Sequence, residues 1–197
     1  LMVGAEDYQA LTEAVGRIET LVTQLRNFAG GRLQEFELVD LREPANTALQ
    51  AMSDALRDAG VAVTKKLPAQ ACMVYGIPDQ IEQIFVDLLR NAVDGFGREQ
   101  AAAERELTVS IESAEGGPLT DGDVFLCSVK DTGLGMDADA AERACKLFAS
   151  GENEAPAIGL AMMRNVVRRH GGDFEILSSP GAGTTVNVRL PRSSTAP

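Results

Sequence analysis

From Ile81 to Phe96 apolar residues recur at helical spacing without a break (Ile81, Ile84, Phe85, Leu88, Leu89, Ala92, Val93, Phe96), directly after Pro78. A few residues later the period drops to two, at Leu107, Val109 and Ile111, and a second apolar run, Val124 to Val129, follows the turn region from Gly116 to Gly122. A helix with one apolar stripe needs a surface to cover, and two such strands supply one. The strands are expected to pair antiparallel beneath the helix.

The rest of the chain repeats this alternation. Phe36 to Leu41 reads as a short strand, and Asp40 with Glu43 has capping-box spacing for one helix carrying Leu49, Met52 and Leu56, ended by Gly60. Val61 to Leu67 and Cys72 to Tyr75 read as strands, and a short helix is expected around Asp139 to Phe148. A further helix, Gly159 to His170, stops at Gly171-Gly172, and Phe174 to Ser178 and Thr184 to Leu190 form a hairpin about Pro180 to Gly183. The expected fold is α+β: a two-layer α/β sandwich with a mixed, mostly antiparallel sheet covered on one face by helices. It spans residues 36–191, with 192–197 read as a disordered tail and no internal repeat.

Ahead of this domain, Leu11, Val15, Ile18, Val22 and Leu25 alternate steps of four and three, and Leu21 and Phe28 widen the stripe. That is a helix made to pack on other helices, ending at Gly30-Gly31. Residues 1–35 are read as part of a dimerisation stalk, and Leu1, which is no natural initiator, as the start of an excised piece.

Composition narrows the function classes. The 197 residues are 45% apolar, enough for one well-buried domain and a smaller appendage. A net charge of -11 opposes binding to nucleic acid, so an anionic ligand has to be held by local donors. No apolar run reaches membrane-spanning length, and no membrane contact is expected of this piece. Cys72, Cys127 and Cys145 have neither CxxC spacing nor the density of a disulfide scaffold, which fits a reducing cytoplasm.

Four segments carry potential chemistry. Asp131-Thr132-Gly133-Leu134-Gly135-Met136 follows an apolar strand; its glycines allow close approach of a flat or phosphorylated ligand, and its carboxylate accepts from an amino group. Taken alone, it reads equally as a tight turn capped by Asp131. Asp87, Asn91 and Asp94 sit at steps of four and three on one polar helix face, suited to a hard cation such as magnesium or simply to solvent. Ile158-Gly159-Leu160-Ala161 opens a helix, whose free amides favour an anion. Gly181-Ala182-Gly183-Thr184-Thr185 places hydroxyls before the last strand.

In this order and spacing the four segments resemble the N box, G1 box, G2 box and terminal GxGTT segment of sensor histidine kinases, which share their ATP fold with the DNA gyrase B subunit and the MutL proteins. Leu147-Phe148 stands in the place of the F box, and His170-Gly171-Gly172 at the usual helix-to-strand junction. Leu25-Arg26-Asn27-Phe28-Ala29 and Val39-Asp40-Leu41 look like the second stalk helix and its exit in nitrogen-regulation and dicarboxylate-sensing kinases.

The resemblance implies a Bergerat-type fold that binds ATP and Mg2+. Asp131 would accept the adenine amino group, Thr184 would back it through water, and Gly133 and Gly135 would let adenine lie close. Asn91 would bind the magnesium, and Gly159 and Leu160 would offer amides to the phosphates. Asp94, Met136 and Phe148 complete the implied nucleotide contacts. The γ-phosphoryl group would pass to a histidine on a stalk helix absent from this sequence, for relay to the receiver domain of a response regulator, in a homodimeric parent.

Four departures stand out. His170, the only histidine, is followed by Gly171 and not by an acidic residue, so it is read as a helix-end residue favoured by the dipole and not as a phosphoacceptor. Asp87 stands where most of these kinases carry asparagine and the gyrase relatives a glutamate base, making it the candidate catalytic residue, which would either polarise a nucleophile or simply repel the phosphates until magnesium arrives. Pro156 and Ala157 replace the usual threonine and glycine, and Glu152 a common lysine. These last changes open the alternative of a degenerate pseudokinase or signalling scaffold with weak or no nucleotide binding.

Overall fold

In a computed structural model the described residues are 35–97, 104–116, 122–144 and 158–193. The chain divides after Gln34, and the unit described is the second, Glu35–Pro197. The expected stalk helix, Phe148, Cys145 and residues 152–157 lie outside the described residues.

The uninterrupted helical period becomes α3, and it organises everything around it. In chain order the elements are β1 (Glu37–Asp40), α1 (Arg42–Ala51), α2 (Ser53–Asp58), β2 (Ala62–Lys66), β3 (Met73–Gly76), α3 (Pro78–Asp94), β4 (Glu106–Glu115), β5 (Asp123–Asp131), α4 (Ala138–Ala144), α5 (Ile158–Arg169), β6 (Asp173–Ser178) and β7 (Thr184–Pro191). Five strands form the main sheet in the order β2-β4-β5-β7-β6, antiparallel except for the β2–β4 pair. The expected antiparallel pairing of the two apolar strands holds, with Val109 opposite Val129 and Leu107 opposite Asp131. β1 and β3 pair with each other as a separate two-stranded ribbon.

The core lies between helices and sheet. Ile81, Ile84, Phe85, Leu88, Leu89 and Ala92 of α3 are all buried, against Leu107, Val109 and Ile111 of β4 and Phe125, Cys127 and Val129 of β5. α1 packs on α3 from one side, bringing in Ala45 and Ala48, and α5 from the other, bringing in Met163 and Val167. Removing one of the larger of these side chains costs about 2–5 kcal/mol by lost burial and cavity formation. This is the two-layer sandwich that the periodicities implied. No helix among the described residues is long and apolar enough to cross a membrane.

Local readings at the start of the domain need correction. The expected single helix is two, because Met52 sits at φ -91°, ψ 1° between α1 and α2 while its side chain stays buried with Ala48 and Leu56. The Asp40–Glu43 capping box does not form: Leu41 precedes the first helical residue, and no side chain caps the helix. Asp40 instead accepts the Arg42 amide, the Cys72 amide at 3.1 Å and the Arg42 guanidinium at 2.6 Å. That guanidinium is the main cause holding the Asp40 carboxyl down to about 2.

At the far end of β7, Arg192 bridges to Val74 and the Ser193 amide donates to Met73 O at 2.9 Å. The last strand therefore joins the main sheet to the β1–β3 ribbon, and these two residues of the expected tail are bonded.

Candidate nucleotide site

Asp131 ends β5 and is 6% exposed. Its Oδ1 accepts the Gly133 amide at 2.8 Å and the Thr184 amide at 3.1 Å. Both bonds end on one oxygen. Burial pushes the Asp131 carboxyl up, and the two amides oppose it by bonding the charged form.

The loop that follows is held on two sides. Leu134 donates its amide to Gly95 O at 2.9 Å, just past the end of α3, and accepts the Gly181 amide at 2.6 Å from the β6–β7 hairpin. Both loop glycines are required by this packing. A Cβ on Gly133 would lie 2.5 Å from Gly95 O, and one on Gly135, whose φ is +68°, would run into the Ser179 carbonyl oxygen. Met136 donates its amide to Ser178 Oγ at 2.8 Å, and its side chain packs against the core.

α3 delivers the second group of residues. Asn91 lies one turn before Gly95, whose amide donates to Asn91 O at 2.9 Å. The Asp131 loop and the Asn91 helix are thus joined through Gly95. Asn91 Nδ2 is buried with no hydrogen-bond partner. An orphaned amide costs about 1–3 kcal/mol unless something supplies an acceptor.

The expected polar face does not hold together as one surface. Asp94, at the end of α3, is exposed, whereas Asp87 is only 8% exposed and accepts Gln83 Nε2 at 2.8 Å. Burial pushes the Asp87 carboxyl up, opposed by the Gln83 bond and by Arg90.

Gly159 and Leu160 lie in the first turn of α5, with the Leu160 side chain in the core. His170, at the far end of α5, bonds to Ile77 at the start of α3, and the helices pack together, so they run antiparallel. The 12 residues of α5 rise about 18 Å, which brings its first turn roughly level with the Asn91 end of α3.

His170 is 6% exposed with both ring nitrogens engaged. Nε2 accepts the Ile77 amide at 3.0 Å, so the ring proton lies on Nδ1, 2.8 Å from Val166 O. Burial lowers its affinity for a second proton. The dipole reading is corrected here: the residue is a neutral clamp between two helices, not a cation at a helix end.

Thr184 meets Asp131 through its backbone amide. Its hydroxyl goes to Ser178 Oγ at 2.9 Å. Ser178, Gly95 and Gln83 are site components that the sequence reading missed. The one local signal was two hydroxyl residues at paired positions, Ser178 and Thr184, closing the mouth of the hairpin.

A helix-covered sheet with a glycine-lined loop at the end of a central strand, facing a helix that presents Asn91, defines an ATPase-type α/β sandwich. The family model described as histidine kinase-, DNA gyrase B- and HSP90-like ATPase matches residues 76–194, and the chain belongs to that family. It is homologous to sensor histidine kinases. It is 27% identical over 175 residues to the sensor histidine kinase ZraS of Klebsiella oxytoca, covering 89% of this chain and 36% of that protein. To the C4-dicarboxylate transport sensor protein DctB of Rhizobium meliloti (strain 1021) it is 26% identical over 192 residues, covering 98% and 29%. The chain thus spans about a third of these relatives. Full-length ShkA, solved with AMPPNP, superposes with a TM-score of 0.73 at 19% identity, covering all of this chain and 41% of that one. At that identity the likeness concerns the fold.

Proposed function

We propose that this chain binds ATP with Mg2+ and donates the γ-phosphoryl group to a histidine that the sequence does not contain, for relay to the receiver domain of a response regulator. The observation that carries the reading is Asp131, buried at the end of β5 and fixed through Oδ1 by two amides, so that its other oxygen would take the adenine amino group, beside a loop whose close backbone packing only Gly133 and Gly135 allow. The AMPPNP held by the structural neighbour ShkA supports the same reading.

Asn91 fits a nucleotide–metal site. Its buried Nδ2 has no acceptor, which a phosphate oxygen would supply, and its amide oxygen is a ligand of the right hardness. Magnesium takes one or two protein oxygens and completes its shell with phosphates and water, a demand that the Asn91 amide oxygen would meet. Bound there, the metal would neutralise the charge of the transferring phosphate.

Transfer of this kind rests on positioning and charge neutralisation. Asp131, Thr184, Gly133, Gly135 and Met136 would orient the base, with Phe148, outside the described residues, as a further contact. Gly159 and Leu160 would face the phosphates with the first-turn amides of α5. Asp94 would stand at the rim, and Asp87, beneath Asn91 and bonded to Gln83, would tune the charge there. Both ring nitrogens of His170 are bonded inside the protein, which supports the reading that the acceptor lies elsewhere.

Calorimetric titration with ATP and magnesium tests the reading, with Asn91→Ala and Asp131→Asn as controls. Binding that both substitutions weaken is expected; no binding by the wild type at millimolar nucleotide would favour the scaffold reading instead.

A further inference from the structure

Arg105 lies outside the residues assigned above, just ahead of β4. Its guanidinium donates to Ala59 O, the residue that closes α2, at 2.7 Å and to Gly97 O, beyond the end of α3, at 3.0 Å. Its own carbonyl accepts the Ala62 amide at 2.8 Å, at the start of β2. One planar fork thus ties together two segments that leave helix C-termini, a place where arginine readily bonds carbonyls. The arrangement is not the best that stability alone would ask for: Nε is buried with no hydrogen-bond partner among the described residues. A break in polar satisfaction of this kind is expected where geometry serves function.

The segment that Arg105 holds is the floor of the Asp131 loop. Gly95 O accepts the Leu134 amide at 2.9 Å, and a Cβ on Gly133 would lie 2.5 Å from that same oxygen. Gly97 lies under the Leu134 side chain, so close that a Cβ there would come within 3.0 Å of Leu134 Cδ2. The floor is also continuous with α3, since the Gly95 amide donates to Asn91 O. A carbonyl two residues from Gly95 is therefore a point from which the seat of the loop can be fixed against the helix that carries Asn91.

We propose that Arg105 is a positioning residue for the nucleotide: by holding Gly97 O it fixes the floor on which the Asp131 loop rests, and so sets how tightly ATP binds. The inference rests on the nucleotide reading of the Asp131 pocket and adds to it a residue that acts through the Gly95–Gly97 main chain. Arg105→Gln is the sharper variant, because its side chain is too short to reach both carbonyls.

The test combines equilibrium binding of ATP with magnesium to the full 197-residue chain and amide hydrogen exchange of the same protein without nucleotide. The Leu134 amide reports on the loop, and the Ile77 amide, held by His170 at the other end of α3, is the reference. Arg105→Gln and Arg105→Ala are each expected to weaken ATP binding about three- to tenfold, the scale of one hydrogen bond, with exchange faster at Leu134 and unchanged at Ile77. Wild-type ATP affinity in Arg105→Gln would overturn the proposal, even where Arg105→Ala fails to fold. Exchange that rises equally at both amides would overturn it too, making Arg105 a support of the whole fold only. A wild type that binds no ATP ends the nucleotide reading itself, and this inference with it; a wild type that binds ATP no better than its variants ends this inference alone.

Discussion

Thr184 and Asp131, on neighbouring strands, are tied by a backbone amide and not by a side chain: Thr184 N–H donates to Asp131 Oδ1 at 3.1 Å. The bond fixes which carboxylate oxygen faces inward. In Asp131→Asn the amide oxygen has to take the Oδ1 place, because two N–H groups point at it, and the NH2 group then faces the cleft. A donor would meet the adenine amino group, and ATP affinity is expected to fall about 10- to 100-fold with the melting temperature little changed. Calorimetry and thermal unfolding on the same samples check this.

Two glycines with nearly the same backbone conformation separate strain from packing. Gly135 and Gly181 have φ of +68° and +76°, but a Cβ on Gly181 meets nothing within 4 Å, whereas one on Gly135 meets the Ser179 carbonyl. Gly181→Ala is expected to cost about 1 kcal/mol from the left-handed conformation alone, and Gly135→Ala about 3 kcal/mol or more. Denaturant unfolding of the two variants gives the comparison.

Asp87 is a buried carboxyl whose pKa is raised, chiefly by burial. For a raised carboxyl the stabilising contribution belongs to low pH and is lost as pH rises through the folded value, so at neutral pH the ionised group is a burden. Asp87→Asn keeps an oxygen for Gln83 and is expected to raise the melting temperature at pH 7 by about 2–4 °C, on the order of 1 kcal/mol for a domain of this size. The gain should shrink on acidification toward pH 4; a variant that melts below the wild type at pH 7 contradicts it.

His170 contributes with the opposite slope. Burial lowers its folded pKa, so below its unfolded value of about 6.5 the unfolded chain takes up the proton more readily. The contribution is complete above that value and declines as pH falls from it toward the folded pKa. His170→Ala leaves the Ile77 amide without its acceptor, an expected loss of about 1–3 kcal/mol, and should flatten the pH dependence of stability just below about 6.5. Denaturant titrations of both proteins across that range measure it.

What the sequence showed depended on how local each determinant is. α3 was legible because its period runs unbroken from Ile81 to Phe96, and the Asp131 loop because its glycine spacing is set by contacts that only glycine allows. The Asp40–Glu43 cap was misread because the Asp40 carboxylate is drawn to the Cys72 amide, 32 residues on, and to Arg42. The charge state of His170 was misjudged for a similar reason, since its Ile77 partner is 93 residues away. Ser178 was not legible because the amide it accepts, that of Met136, lies 42 residues earlier in the chain.

The clamp between α5 and α3 also gives the protein a built-in gauge. With one imidazole in the whole chain, its ring resonances need no assignment, and the shift of the Nδ1-bound proton reads directly on the seam between the helix that carries Asn91 and the helix that carries Gly159. Any ligand that slides one of these helices along the other has to disturb that single signal, at the opposite end of α3 from Asn91.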